Sequence, residues 1–343
     1  VRIAIVNDTL IAVEGLRRVL VSDGRHQIAW IAHDGEEAVQ KAVDDTPDLI
    51  LMDLFMPRQN GVEATRGIME TAPCPILVVT ANVEDHAAMA FEAMGAGALD
   101  AVNTPVWENG SELTGADDLL TKISMIGKLV DVGADPVPSG STAAGQEKTG
   151  VPLVCIGSSS GGPQALARLL AGLPADFPAA IIVAQHVDEQ FAEQMAVWLD
   201  AQTPLKVKAA LEGDEPRPGT VLLAKTDDHL VLEQGGCIGY TANPRDAVFR
   251  PSVDVLFRSV AQNWEAPVYA VLLTGMGQDG AQGMLTLRDA GALTIAQDER
   301  SSAVYGMPKA AAEAGAAKLI VDLDAIAAVL IDNIANESRK ISV

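Results

Sequence analysis

The feature that most limits what this chain can fold into is an alternation that runs twice. Apolar, β-prone runs at residues 2–6, 27–32, 48–52, 76–80 and 98–102 are separated by stretches with apolar residues at three- and four-residue intervals, as at 10–20 and 84–94. Strand and helix in strict alternation predict a parallel sheet, because each parallel connection needs a crossover and both faces then carry helices. A closing helix is expected at 117–130. From there to residue 150 the chain turns to Gly, Pro, Ser, Thr and Ala with little periodicity, which reads as a linker. The alternation then resumes, with strands expected at 151–156, 180–184, 267–273, 292–296 and 318–321. Residues 206–240, rich in Gly and Pro with short apolar runs, are expected to form hairpin strands. The chain therefore reads as two α/β domains, 1–130 and 151–338, joined by a linker at 131–150.

Composition removes several classes of function. A net charge of -22 without any basic run argues against a nucleic-acid groove, which needs clustered Lys and Arg to neutralise phosphates. No apolar run approaches the roughly 20 residues that span a bilayer, so no membrane insertion is expected. The opening run to Val6 gives way to an acidic turn, unlike a secretory leader. Cys74, Cys155 and Cys237 are odd in number and lack metal spacing, which fits a reducing, cytoplasmic setting.

In open parallel sheets, functional groups gather past the carboxyl ends of the strands. In the first half, the first strand ends in Asn7-Asp8 and the third in Asp53, so two carboxylates meet at one sheet edge. Such a pair suits Mg²⁺, which takes few protein oxygens and keeps several waters. The metal would screen Asp53 as a phosphoryl group arrives, and Thr80, ending the fourth strand, would offer that group a hydroxyl. Singly, each Asp could merely cap a helix. Together with Met56-Pro57 and Gly61, they point to phosphoryl chemistry.

In the second half, three strand ends carry Gly157-Ser158-Ser159-Ser160-Gly161-Gly162, Gln185-His186, and Thr274-Gly275-Met276-Gly277-Gln278-Asp279-Gly280. A hydroxyl, an imidazole and a carboxylate can thus converge as a hydrolase triad requires. The imidazole would take the serine proton, Asp279 would hold the ring, and Gly-rich backbone near Met276 and Ser160 would supply oxyanion amides. Alone, the glycine loop would equally suit a phosphate or dinucleotide. A nucleotide-dependent oxidoreductase wants an acid about 20 positions beyond the loop, and Asp176, in a Pro-rich turn, is the nearest. A non-catalytic adaptor is the other competing reading.

Two resemblances sharpen the expectation. Residues 1–125, above all Leu51-Met52-Asp53-Leu54-Phe55-Met56-Pro57 with Gly61, resemble the receiver domain of bacterial response regulators. That resemblance implies a flavodoxin-like (βα)5 fold, Asp53 as phosphoacceptor, Asp8, Asp53 and the Phe55 carbonyl as Mg²⁺ ligands, and Thr80 as the switch hydroxyl. Three positions depart from the pattern: Asn7 replaces an acid, Ala101 a switch aromatic, and Thr104 a lysine. From residue 151 to about 335 the chain resembles the catalytic domain of CheB-type protein-glutamate methylesterases. Arg250-Pro251-Ser252-Val253-Asp254 and Tyr305-Gly306-Met307-Pro308 add to the three segments above.

This second resemblance implies a doubly wound, mostly parallel esterase domain with Ser159 as nucleophile, His186 as base and Asp279 as orienting acid. Ser160 would support the histidine and the Met276 amide would serve the oxyanion, with no cofactor. It implies hydrolysis of glutamyl methyl esters on methyl-accepting chemoreceptors, with glutamine deamidation in some relatives, and phosphate supplied by a CheA-type histidine kinase. The receiver motifs are most similar to members serving alternative chemosensory arrays, such as the WspF type. Phe249 stands where some relatives carry His, and is expected at the rim of the site.

Overall fold

The computed structural model describes residues 1–81, 86–108, 112–127, 150–187 and 189–341. The chain divides into two units, Val1–Asp135 and Pro136–Val343, and each is described by itself.

In the first unit, β1 (Arg2–Val6), α1 (Leu10–Asp23), β2 (Gln27–Ala32), α2 (Gly35–Asp44), β3 (Leu49–Met52), α3 (Gly61–Thr71), β4 (Ile76–Thr80), α4 (Ala87–Gly95) and β5 (Asp100–Asn103) alternate as the periodicity predicts. The sheet order is β2-β1-β3-β4-β5 and every pairing is parallel. β3 and β4 are buried along their whole length, which is why they read as unbroken apolar runs. Local chemistry sets the helix starts. The Asp34 side chain accepts the Glu37 N–H at 2.9 Å, and Asn60 and Glu63 form a reciprocal capping box at α3. An antiparallel pair, β6 (Val106–Glu108) with β7 (Glu112–Thr114), follows β5 and was not foreseen. The last helix of this unit, α5 (Ala116–Gly127), begins one residue early. Residues 128–130 of the expected helix, the first two of the 84–94 helix, and the expected linker apart from Gly150 lie outside the described residues.

The second unit runs β8 (Leu153–Ser158), α6 (Gly162–Ala171), β9 (Ala180–Gln185), α7 (Glu189–Asp200), β10 (Lys206–Ala209), β11 (Thr220–Leu223), β12 (His229–Leu232), β13 (Ile238–Thr241), α8 (Val253–Asn263), β14 (Val268–Leu272), α9 (Ala281–Asp289), β15 (Leu293–Gln297), α10 (Met307–Glu313), β16 (Leu319–Val321) and α11 (Leu323–Ile341). Its sheet has the order β10-β11-β9-β8-β14-β15-β16, parallel throughout. The first strand, β8, is central, with β9 on one side and β14 on the other, and it is at such a reversal of winding that open parallel sheets hold their ligands.

The 206–240 stretch departs from expectation. β10 and β11 pair in parallel and extend the main sheet beside β9, whereas β12 and β13 form the antiparallel hairpin. Pro and Gly between short apolar runs signal a turn equally well in either case; the choice was made by a distant partner, β9.

Candidate active site

β9, β8 and β14 are adjacent at the centre of the second sheet, and His186, Ser159 and the loop holding Asp279 follow them in that order. Main-chain bonds fix the ends together. His186 N–H donates to the Ser158 carbonyl, and Ser159 N–H to the Thr274 carbonyl, both at 3.0 Å.

Asp279 is the most heavily bonded group of the site. Its oxygens accept from His186 Nε2 at 2.8 Å, Ser252 Oγ at 2.8 Å, Val253 N–H at 2.7 Å, and the Asp254 and Gly280 N–H groups at 3.1 Å. Ser252, Val253 and Asp254 open α8, so the positive end of that helix faces the carboxylate. Burial pushes the Asp279 carboxyl up, but His186 and the α8 amides outweigh it and hold its pKa below the usual carboxylate value. A carboxylate can only accept, so His186 carries a hydrogen on Nε2, and in the neutral ring the lone pair falls on Nδ1. That Nδ1 is buried and has no hydrogen-bond partner among the described residues. A base nitrogen in this state is poised to receive a hydroxyl proton.

The three serines occupy different environments. Ser158 is fully buried and donates to Gln185 Oε1 at 2.6 Å, which makes it part of the packing. Ser159 stands between the strand ends of His186 and Thr274, although no hydrogen bond joins its hydroxyl to either imidazole nitrogen. Such bonds commonly tighten once substrate is bound. The Ser160 carbonyl accepts from Thr274 Oγ1 at 3.0 Å, and its hydroxyl makes no bond to His186. The Met276 N–H is used in no hydrogen bond among the described residues.

Glycines hold the Met276 turn against the serine. The Gly275 carbonyl accepts from the Gly306 and Met307 N–H groups at 3.1 and 2.8 Å, which explains the Tyr305-Gly306-Met307-Pro308 signature. A Cβ on Gly275 would stand 2.8 Å from Ser159 Cβ and 3.0 Å from Ser159 N, and would strike the Met307 sulfur. Gly275→Ala is therefore expected to destabilise the domain by about 1–3 kcal/mol and, by displacing Ser159, to lower kcat by about 10²-fold. Thermal unfolding beside ester hydrolysis checks both.

Some contacts were not legible beforehand. Phe249, expected at the rim, covers one face of His186, with ring centroids 4.3 Å apart and planes 8° from parallel. Ser252 was noted only inside a motif, without its bond to Asp279.

In the first unit, Asp53 follows β3 and donates its N–H to the Val6 carbonyl at 2.9 Å, which brings it beside Asn7-Asp8 at the end of β1. Any side chain on Gly61 would collide with the Asp53 carbonyl, so glycine there lets α3 start hard against the site. Burial pushes the Asp53 carboxyl up to about 6, and the like charge of Asp8 adds to this, against the Leu54 and Phe55 amides and His86. Thr80, buried at the end of β4, has its hydroxyl 3.3 Å from His86 Nδ1, and His86 lies against Phe55 with ring centroids 4.1 Å apart. His86 gave no sequence signal. Among the described residues no three His, Cys, Asp or Glu side chains gather as a metal-binding group. Two mutually repelling carboxylates and a backbone carbonyl are nevertheless a donor set that fits a divalent cation retaining its waters.

Residues 154–330 match the family model for the CheB methylesterase domain, and residues 3–116 that for the response regulator receiver domain. A Burkholderia lata protein named protein-glutamate methylesterase/protein-glutamine glutaminase 2 is 53% identical over 339 residues, 98% of this chain and 99% of its own length. The chain belongs to the CheB methylesterase family. A like-named protein from Cupriavidus metallidurans is 53% identical over 330 residues, covering 96% of this chain and 97% of its own. The CheB methylesterase catalytic domain of Thermotoga maritima, solved by crystallography, aligns at a TM-score of 0.50 with 37% identity, over 55% of this chain and 98% of that one. The receiver and methylesterase motifs thus identify the family correctly. Among the described residues of this CheB family member, no helix is long and apolar enough to cross a membrane.

Proposed function

We propose that this protein hydrolyses γ-glutamyl methyl esters, and glutamine side chains at the same positions, on methyl-accepting chemoreceptors, under the control of phosphorylation at Asp53. Two activities stand in the names of its relatives. The observation that carries the reading is the His186 Nδ1, without a partner among the described residues, its other nitrogen held by a helix-clamped carboxylate, just past the strand next to the one that leads into Ser159.

Ser159 Oγ attacks the ester carbonyl as His186 Nδ1 takes its proton. The imidazolium keeps its Nε2–H on Asp279, whose charge offsets the new positive one. The tetrahedral oxyanion accepts from the Met276 N–H and from backbone amides at Ser160 before α6, each such donor contributing about 3 kcal/mol. As the intermediate collapses, His186 returns the proton to the departing oxygen and methanol leaves. Water then repeats the sequence on the acyl-enzyme, releasing the glutamate side chain and restoring Ser159. A primary amide follows the same course with ammonia as leaving group. Methanol release from methyl-labelled receptor tests the reading. Wild type is expected to release it and Ser159→Ala to lose the activity; a wild type that releases none would overturn the proposal.

The proposed domains are a receiver at 1–130, a linker at 131–150 and the esterase at 151–338. Asp8, Asp53 and the Phe55 carbonyl would hold Mg²⁺ in the receiver, where the ion would supply positive charge against an incoming phosphoryl group. Asp53 takes that group from a CheA-type histidine kinase, and Thr80 offers its hydroxyl to it. A coupling of a few kcal/mol between the two domains suffices for regulation, because each 1.4 kcal/mol shifts a population tenfold. A small phosphodonor is expected to raise the esterase rate of wild type and not of Asp53→Asn.

The raised Asp53 carboxyl adds a pH signature. Below about 6 the metal-free receiver holds a proton there, and metal must displace it. Mg²⁺ affinity is thus expected to be level above that pH and to fall about tenfold per unit below it. Isothermal titration calorimetry measures this directly. Unchanged affinity at pH 5 would remove Asp53 from the ligand set.

A further inference from the structure

Residues 244–252 lead from the β12–β13 hairpin to α8, and one buried imidazole holds both ends of this segment. His229, fully buried at the start of β12, has Nε2 3.1 Å from the Pro244 carbonyl and Nδ1 3.0 Å from the Ser252 N–H. A carbonyl can only accept and a backbone N–H can only donate, so the ring is neutral with its hydrogen on Nε2. Between those two anchors the segment meets the reacting groups twice. Phe249 stacks on His186, and its ring lies against the Met276 turn, 3.6 Å from where a Gly277 Cβ would stand. Ser252 Oγ, with the next two amides of α8, then grips Asp279.

We infer that His229 is a positioning residue for ester hydrolysis, tying residues 244–252 so that Phe249 and the α8 N-terminus fix His186 between a ring and a carboxylate. The inference rests on the esterase reading above. His229 touches neither substrate nor His186; it acts through the backbone at Pro244 and Ser252. If Pro244 is released, Phe249 is free to leave the imidazole face. If Ser252 is released, the first turn of α8 shifts and carries the Asp279 bonds with it. Either change moves the base relative to Ser159, and a misplacement of about 1 Å costs about 10²-fold in rate.

The test uses the full-length protein with His229→Leu, which loses both bonds; His229→Asn, whose amide can keep the Ser252 bond; and His229→Gln, whose amide can keep the Pro244 bond. Expected for His229→Leu is a kcat lower by about 10²-fold with KM within about twofold. The Asn and Gln variants should fall between it and wild type. Labelling of Ser159 by a fluorophosphonate probe should slow in the same order. Hydrogen exchange should quicken at 244–252 and stay unchanged in β8 and β9. In a Phe249→Leu background, the His229 substitutions should cost markedly less than in wild type, which a merely structural role would not produce.

If His229→Leu fails to fold, the Asn and Gln variants carry the same comparison. Wild-type kcat in both despite faster exchange at 244–252, or full additivity with Phe249→Leu, would overturn the inference. A wild type inert to both ester and probe would instead overturn the esterase reading.

Discussion

Ser159→Ala is expected to lower kcat by at least about 10⁴-fold, whereas Ser158→Ala leaves it within about threefold of wild type. The two hydroxyls are neighbours in the chain but belong to different physical systems. Ser158 ends β8 in full burial, and its hydroxyl is spent on Gln185 Oε1. Removing it leaves that amide oxygen short of a donor, a cost of about 1–3 kcal/mol in stability that thermal unfolding would register. Gln185 retains its bonds to the Ser159 and His186 carbonyls, at 2.9 and 3.0 Å, so the strand ends stay in register. Ser159 lies past the strand, on the sheet edge that also carries His186, and in the proposed mechanism no acyl-enzyme can form without it. Initial-rate methanol release with unfolding midpoints for both variants separates the roles. Comparable kcat losses in the two would mean that the nucleophile has been misassigned.

Asp279→Asn should cost about 10⁴-fold in kcat with KM little changed. The reason lies in how completely the carboxylate is used. One oxygen accepts from His186 Nε2 and Val253 N–H, and the other from Ser252 Oγ, Asp254 N–H and Gly280 N–H. Whichever way an asparagine side chain turns, its NH₂ faces at least one main-chain donor. If it faces His186, the ring must present a bare Nε2 and carry its hydrogen on Nδ1, the wrong atom for taking a proton from serine. If it faces the other way, the Asp254 N–H of α8 and the Gly280 N–H before α9 lose their acceptor, and the negative charge that balances the imidazolium is still gone. The rate of fluorophosphonate labelling at Ser159 reads this loss without any contribution from receptor binding. An Asn variant within tenfold of wild type would sink the assignment.

Much of this arrangement was legible in the sequence because it rests on strand ends. β1, β2 and β4 were read residue for residue, since apolar β-prone runs between amphipathic stretches leave little choice. The groups at their carboxyl ends were candidates for the same reason. Hidden were the contacts made by side chains far apart in the chain. Phe249 was visible as an unusual residue, yet nothing local says that it reaches an imidazole more than sixty positions earlier. The hydrogen bond of Ser252 to Asp279 and both bonds of His229 also join residues with no local signal for each other. β10 and β11 were misread because four-residue strands between turns carry no information on whether their partner is next in the chain or across the sheet. His86 stands near Asp53 for a purely tertiary reason: at the start of α4 its ring is 3.3 Å from the Thr80 hydroxyl at the end of β4.

The position of β14 has a bearing on how the protein is made. This strand lies beside β8, yet it is synthesised after β9, the hairpin and α8, and it delivers Asp279, 93 residues downstream of His186. A nascent chain therefore presents Ser159 and His186 long before Asp279 leaves the ribosome. Domains generally fold as units, in order of emergence. In the proposed mechanism, acyl chemistry is thus withheld from every truncated product that stops short of residue 279.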